Sequence, residues 1–584
     1  MLLREQYNKL MKFKNHHRKI EEVVEELKNE LSDIKEESLL LHTLRLVLEL
    51  EDRAFSLLYI HLRSPLRQTM YLIDLYYSIE KRTEKYEIDL IRWNRISVLL
   101  DEIEMIYFVM IAFSEGNIKE DEVSDDIRNI SLLTFIDYFA NPELRYDEQT
   151  LDRILIYFKP YSDFIKSYFG FTIEEALEFI FGIRKLDNNK LNNAIKTYLN
   201  DVKGSNFSEA QFIKIKKQSD NLIHNKEELN NISIKPDSLK RLIKFFEYDK
   251  VIFKGKTIYY AEKRYSELYP LIEFNDKYLC HFNKYLLEAF YNRVDKVLME
   301  DEPTGKYKQY KDNAFENKVA MIFREFFSSS AKIFTNYSVD GVSENDLLIL
   351  YGGVCIIVEI KNCKFREPFR NPVKAYERIK RDFNNAIKLG YEQCKRVEDV
   401  ILNDNDNEVR ILDAENIQNV LYNLKKEKIK EVWSIIVTDY RYGPIQTNLG
   451  MLLKKETDDY YPWSVCVDDL EIFLLLMKKV YKGVSSARFI EFLDYRERMH
   501  EHILCNDEVE ICGWYLNDRE QFKRCSDLEE VITTTSEMGR IFDAYYTIGI
   551  GFKNEINIDI KRTHQFPKYP KKFNINIITN EMIS

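Results

Sequence analysis

Residues 343–362 read SENDLLILYGGVCIIVEIKN, and how this stretch pairs with itself decides the fold around it. Residues 347–351 and 354–360 are apolar and rich in branched side chains, with Gly352-Gly353 between them. Gly-Gly suits a two-residue hairpin turn, because both central positions of a type I′ turn need positive φ. That turn pairs Tyr351 with Val354, which sets Asp346 opposite Glu359 and Glu344 opposite Lys361. Opposed residues of an antiparallel pair share a face, with Cβ atoms about 4.5–5.5 Å apart. Glu359 and Lys361, two apart on one strand, share that face as well. The hairpin therefore gathers Glu344, Asp346, Glu359 and Lys361 into one cluster.

Two carboxylates directly across a ladder repel. A divalent cation offsets that repulsion: Mg²⁺ takes a few carboxylate oxygens and keeps several waters. Lysine beside such an ion can orient the attacking water and stabilise charge developing on a phosphate. The pattern points to metal-assisted phosphodiester hydrolysis. The other reading of the same residues is an ion-pair cluster in which Lys361 neutralises two acids, and the hairpin alone leaves both open.

Outward from the hairpin, the chain falls into regions. Up to about residue 200 the apolar residues recur at three and four with few breakers, as in IEEVVEELKNELSDIKEESLLLHTLRLVLELE, which predicts packed helices; residues 201–237 are polar and Asn- and Lys-rich, the period weakens, and the helical region 1–237 ends there. EGNIKEDEVSDD reads as a surface loop between them. Residues 238–304 contain VIFKGKTIYY and LIEFNDKYLCHF, two hairpin signals in a connecting module. Residues 305–495 alternate: helix NAFENKVAMIFREFF, the hairpin, a long helical stretch from Pro372 to Val400, strands VWSIIVTDY and WSVCV, and helix DDLEIFLLLMKKVY. That is an α/β arrangement. Residues 496–584 form a looser appendage, with a further hairpin signal around Lys553-Asn554. The expected class is α+β and multidomain, a largely helical N-terminal region followed by an α/β core and a small α+β C-terminal region.

The chain has 584 residues, 45% hydrophobic and 31% charged, and no apolar run approaches the roughly 18 residues of a membrane span. Eight scattered cysteines without a paired framework, and an N-terminus that turns charged before any apolar core of a signal can form, are expected of a cytoplasmic protein in a reducing compartment. The net charge of -11 excludes indiscriminate coating of nucleic acid. Yet residues 361–396 carry eleven Lys and Arg against four Asp and Glu, eleven minus four giving +7 beside the acidic cluster. A phosphate backbone needs such a local excess. Phe365 and Phe369 interleave there, available for base stacking or for core packing.

The order of helix with an acid, hairpin with Asp and Glu-x-Lys, and following helix resembles the PD-(D/E)xK nuclease superfamily over about residues 305–485. The resemblance implies a restriction-endonuclease-like core, a mixed sheet flanked by helices, in a Mg²⁺-dependent endonuclease that would also accept Mn²⁺. It implies that Asp346 and Glu359 bind the metal with the Ile360 carbonyl, that Glu316 of AFENKVAMIFREFF completes the metal site, and that Lys361 is the catalytic lysine. Some members carry a Gln motif on the next helix, which Gln393 matches, with Lys395 or Arg396 nearby for phosphate. Asn345 stands where the name-giving proline would be. Long helical extensions on such nucleases imply an anti-phage defence effector of bacterial type. DNA is the leading substrate; RNA cleavage, or a non-catalytic module that binds nucleic acid or protein on the same fold, remains open, as do a homo-oligomer and an operon-encoded partner.

Two other motifs are set aside. Asp559-Ile560-Lys561 repeats acid-x-lysine without an aspartate at hairpin spacing. His500, His502, Cys505 and Cys512 match no common zinc spacing.

Overall fold

The computed structural model describes residues 13, 18–52, 62–112, 125–140, 145–201, 207–340, 344–366, 372–402, 407–456, 459–546, 550–552 and 576–578. The chain divides into two compact units, the first Met1–Ser124, Tyr138–Tyr307 and Glu367–Pro372, the second Asp125–Asp137, Lys308–Arg366 and Val373–Ser584. The architecture is α+β, with a seven-stranded mixed sheet in the second unit.

The first unit is mostly helical, with long helices such as Leu90–Ala112 and Ile173–Asp201. Three short strands, β1 (Ile223–Asn225), β2 (Leu271–Phe274) and β3 (Lys277–Cys280), form an antiparallel sheet in the order β1-β3-β2. The β2–β3 turn at Asn275 (φ 49°) and Asp276 (φ 58°) has the double positive φ of a type I′ hairpin, as LIEFNDKYLCHF predicts. VIFKGKTIYY corrects the sequence reading: it forms turns and irregular chain, not a hairpin. The Gly255 N–H donates to Ser78 O at 2.9 Å instead of a ladder partner. Val251 and Ile252 stay exposed, while Tyr260 buries its ring against Phe139 and Tyr71. Packing against aromatic rings has overridden strand propensity.

Buried tyrosines carry polar tips into this core. Tyr248 donates to Asp74 at 2.7 Å and Tyr260 to Glu104 at 2.6 Å, so large rings are buried while their hydroxyls are satisfied by buried carboxylates. Burial pushes Asp74 up to about 6, against the pull of the Arg264 guanidinium and the Tyr248 bond.

The large sheet of the second unit has the order β10-β9-β6-β5-β4-β7-β8. Its strands are β4 (Lys332–Val339), β5 (Asn345–Tyr351), β6 (Val354–Lys361), β7 (Glu408–Asp413), β8 (Val420–Lys425), β9 (Glu431–Thr438) and β10 (Trp463–Cys466). β6, β9 and β10 run parallel and the other pairs antiparallel. Five helical segments surround the sheet near the site. These are α1 (Tyr307–Phe327), which enters the unit at Lys308; α2 (Pro372–Phe383); a π-helical turn (Asn384–Lys388) that leads directly into α3 (Leu389–Leu402); and α4 (Val467–Val480) after β10. Cys394, Val397 and Ile401 of α3 pack on Leu348, Cys355 and Ile357 of the central hairpin. Phe323 and Phe327 of α1 belong to a second aromatic group with Phe489.

A smaller sheet, β11 (Ile503–Leu504), β12 (Val531–Thr533) and β13 (Asn576–Ile578), ends the unit. The hairpin expected around Lys553-Asn554 and the Asp559-Ile560-Lys561 triplet lie outside the described residues.

Candidate active site

The hairpin folds in the predicted register: Tyr351 pairs with Val354 and Leu347 with Val358, around Gly352 (φ 56°) and Gly353 (φ 90°). Continued by one residue, that register sets Asp346 opposite Glu359. Asp346 Oδ2 accepts the Ile360 N–H at 2.6 Å, so the aspartate is pinned to the backbone of the neighbouring strand. Lys361 stands between the two acids, its Nζ 2.8 Å from Glu359 Oε2 and 3.7 Å from Asp346 Oδ2. Glu344, the fourth member of the expected cluster, is exposed. The parallel neighbour β9 sets Thr438 beside Lys361, and Asp439 N donates to Lys361 O at 3.2 Å. The cluster therefore lies at the carboxyl end of parallel strands, where α/β sheets open their crevices.

The site is dry on one side and wet on the other. The Glu359 side chain is 0% exposed, Lys361 11% and Asp346 20%. Burial, reinforced by the Asp346 charge, pushes Glu359 up to about 7 despite the opposing pull of Lys361. Burial acts against the Lys361 ammonium, but Glu359 and Asp346 outweigh it and hold the amine charged above its ordinary range. Glu359 Oε1 is buried with no hydrogen-bond partner.

α1 brings Glu316 to this charge. Glu316 is half-buried, flanked by the buried Phe315, Val319 and Ala320. Burial first, then the negative charges of Asp346, Asp312 and Glu344, raise it to about 7, with Lys361 opposing. Glu325, the other acid of that helix sequence, is exposed. Gln393 lies on α3, half-buried, and its Oε1 is buried without a partner. Lys395 is ion-paired with Asp459 at 2.6 Å and Asp399 at 3.0 Å, while Arg396 is exposed. Phe365 is in the core beside Tyr442, ring centroids 4.9 Å apart, so of its two sequence readings core packing applies; Phe369 lies outside the described residues.

Asp312, Asn362 and Tyr337 escaped the sequence reading. Asp312, one turn before Glu316 on α1, accepts from Asn362 Nδ2 at 2.6 Å and ties the helix to the chain just past Lys361. The i, i+4 spacing of Asp312 and Glu316 was the available signal. The third is Tyr337. Phe334, Tyr337 and Val339 of β4 all join the core beneath α3, which a strictly alternating strand does not allow. Asn336, at φ 47°, breaks the alternation and turns Tyr337 onto the face of Glu359.

The loop after β6 is held by several bonds. Arg366 pairs with Asp382 of α2, Tyr442 OH donates to Cys363 O at 3.1 Å, and Cys363 Sγ meets Asn385 O of the π-helical turn at 3.5 Å. π-helical turns recur beside functional sites.

The carboxylates of Asp346, Glu359 and Glu316 are hard oxygen donors of the kind Mg²⁺ takes, and this donor set fits such an ion. In the present side-chain arrangement Lys361 supplies the counter-charge, and among the described residues no group of three or more His, Cys, Asp and Glu is drawn together tightly enough to hold a metal. The His500–Cys512 series is used otherwise: His500 Nδ1 accepts the Leu449 N–H and Cys505 Sγ donates to Asp507 O. No protein-family model matches this chain, and no curated protein or solved structure matches it either.

Proposed function

We propose that the chain is a divalent-cation-dependent nuclease that hydrolyses phosphodiester bonds, with DNA as the leading substrate. The observation that carries this reading is the Lys361 ammonium between the Glu359 and Asp346 carboxylates, faced by Glu316. A structural ion pair needs one acid per base. Here three acids share one lysine, and two of them are held up near 7 by burial and mutual repulsion. Groups perturbed in this way by burial and a specific charge partner mark functional sites.

Asp346, Glu359 and Glu316 would hold Mg²⁺ or Mn²⁺, with the Ile360 carbonyl as a further oxygen. When bound, the ion polarises a phosphate oxygen and lowers the pKa of water. Lys361 orients the attacking water and stabilises the negative charge that grows on phosphorus. Gln393, with an unsatisfied amide oxygen on the α3 wall, positions water or substrate. Lys374, Arg378, Arg381, Lys388 and Arg396 are all exposed along α2, the π-helical turn and α3, a cationic surface suited to a phosphate backbone. An anti-phage defence role is the biological setting we attach to this activity.

The test is incubation with supercoiled plasmid, linear DNA and RNA in Mg²⁺ or EDTA, beside Glu359→Ala and Lys361→Ala. Cleavage that needs the ion and falls about 100-fold or more in both variants supports the reading. Binding that persists in EDTA without cleavage under any condition points to the non-catalytic module instead.

A further inference from the structure

We propose that Tyr337 is a positioning residue for Glu359, its hydroxyl donating to Glu359 Oε1; this rests on the reading of the site as a cation-dependent nuclease. Tyr337 is fully buried, and its backbone pairs with Asn345, the residue before Asp346. Its ring packs in the core with Leu348 and Ile357, the same-face pair one step nearer the turn than Asp346 and Glu359, and with Cys394 of α3. The left-handed Asn336 puts it there: without that turn, the alternation set by Phe334 would send Tyr337 to the opposite face of the sheet. Asparagine tolerates this conformation, but it is not free, and such strain clusters at functional positions.

In this structure the Tyr337 hydroxyl is buried with no partner, and Glu359 Oε1 is buried with no partner. A donor and an acceptor both orphaned on one face of a dry core each carry a desolvation cost that a bond between them removes. Burial, and after it the Glu359 charge, hold the Tyr337 hydroxyl well above its ordinary pKa, so it stays a donor. With Oε1 held from the core side, Oε2 is left to Lys361 and to a cation. Partners of this outer kind typically change metal affinity about 10–100-fold.

The test has two arms that fail separately. In EDTA, urea unfolding of wild type, Tyr337→Phe, Glu359→Leu and the double variant forms a cycle. A hydroxyl with no partner makes Tyr337→Phe neutral or stabilising and the two changes additive, which overturns the proposal. A donated bond raises the unfolding equilibrium constant of Tyr337→Phe about tenfold over wild type, and the difference disappears in the Glu359→Leu background. In the second arm, calorimetric titration with Mn²⁺ is expected to show binding weakened about tenfold in Tyr337→Phe, with the cleavage rate restored at saturating Mn²⁺. Unchanged Mn²⁺ affinity in a variant of a wild type that binds the ion overturns the positioning role. Absence of Mn²⁺ binding by wild type sinks the nuclease reading, while the cycle still decides whether Tyr337 holds Glu359.

Discussion

At the scale of single residues, the site trades stability for charge. Glu316 and Glu359 rise from an ordinary value near 4.5 to about 7. Below about pH 4.5 folded and unfolded chains both hold these protons. Between 4.5 and 7 the unfolded chain has released them while the folded one retains them, so stability falls as pH rises through that window and stays reduced above it. Glu359→Gln is therefore expected to be more stable than wild type at pH 8 in EDTA, by about 1–3 kcal/mol, and to flatten the fall in melting temperature between pH 5 and 8. The same variant should lose the stabilisation that Mg²⁺ confers on wild type. A Glu359→Gln protein less stable than wild type at pH 8 would show that the carboxylate is a net structural asset and not a group kept for chemistry.

At the scale of elements, the hairpin turn sets the register on which the acid pair depends. A one-residue slip would send Asp346 and Glu359 to opposite faces. Gly353 has φ 90°, and a Cβ there would lie 3.1 Å from Lys428 O, whereas a Cβ at Gly352 meets nothing within 4 Å. Gly353→Ala is expected to cost about 1–2 kcal/mol, read by urea unfolding, while Gly352→Asn stays within about 0.5 kcal/mol of wild type because asparagine visits this conformation readily. Equal costs at the two positions would mean that the turn tolerates either residue and that the register is held by the strands alone. This turn was legible in the sequence because Gly-Gly between branched apolar runs has one common local solution. The apolar runs of VIFKGKTIYY were as suggestive and formed no strands, because Tyr260 found a better contact against Phe139 than a cross-strand neighbour could offer.

At the scale of the whole chain, acid sensitivity belongs to the first unit, opposite in sign to the stability that the site loses as pH rises. Burial holds His42 down to about 3 and His281 to about 4. His42 packs against Trp93 with ring centroids 4.3 Å apart, and His281 Nε2 lies 2.9 Å from Leu40 O and 2.8 Å from Thr43 Oγ1. Both rings are neutral when folded. Their contribution is complete above the ordinary histidine value of 6.5 and is lost as pH falls from there toward about 4 and 3. His42→Phe is expected to reduce the acid-induced loss of stability between pH 6.5 and 4 by about 1–3 kcal/mol, measured by urea unfolding across that range. A pH profile identical to wild type would show that His42 takes up no proton on unfolding in this range. Among the described residues no helix is long and apolar enough to cross a membrane.

What the sequence determined by itself is local: the hairpin, its register, the shared face of Asp346, Glu359 and Lys361, and the helical periodicity of α1, α2 and α3. These follow from interactions between residues a few positions apart, where turn chemistry and alternation leave few choices. Tertiary structure alone decided the rest. Whether Glu316 meets the hairpin depends on how α1 packs, thirty residues away in sequence from Asp346. The Asp312–Asn362 bond closes a loop of fifty residues, and no spacing rule announces it. Tyr337 joins the core on the face of Glu359 only because one asparagine takes a positive φ within a strand, a conformation the local sequence permits but that the packing of Tyr337 beneath α3 selects.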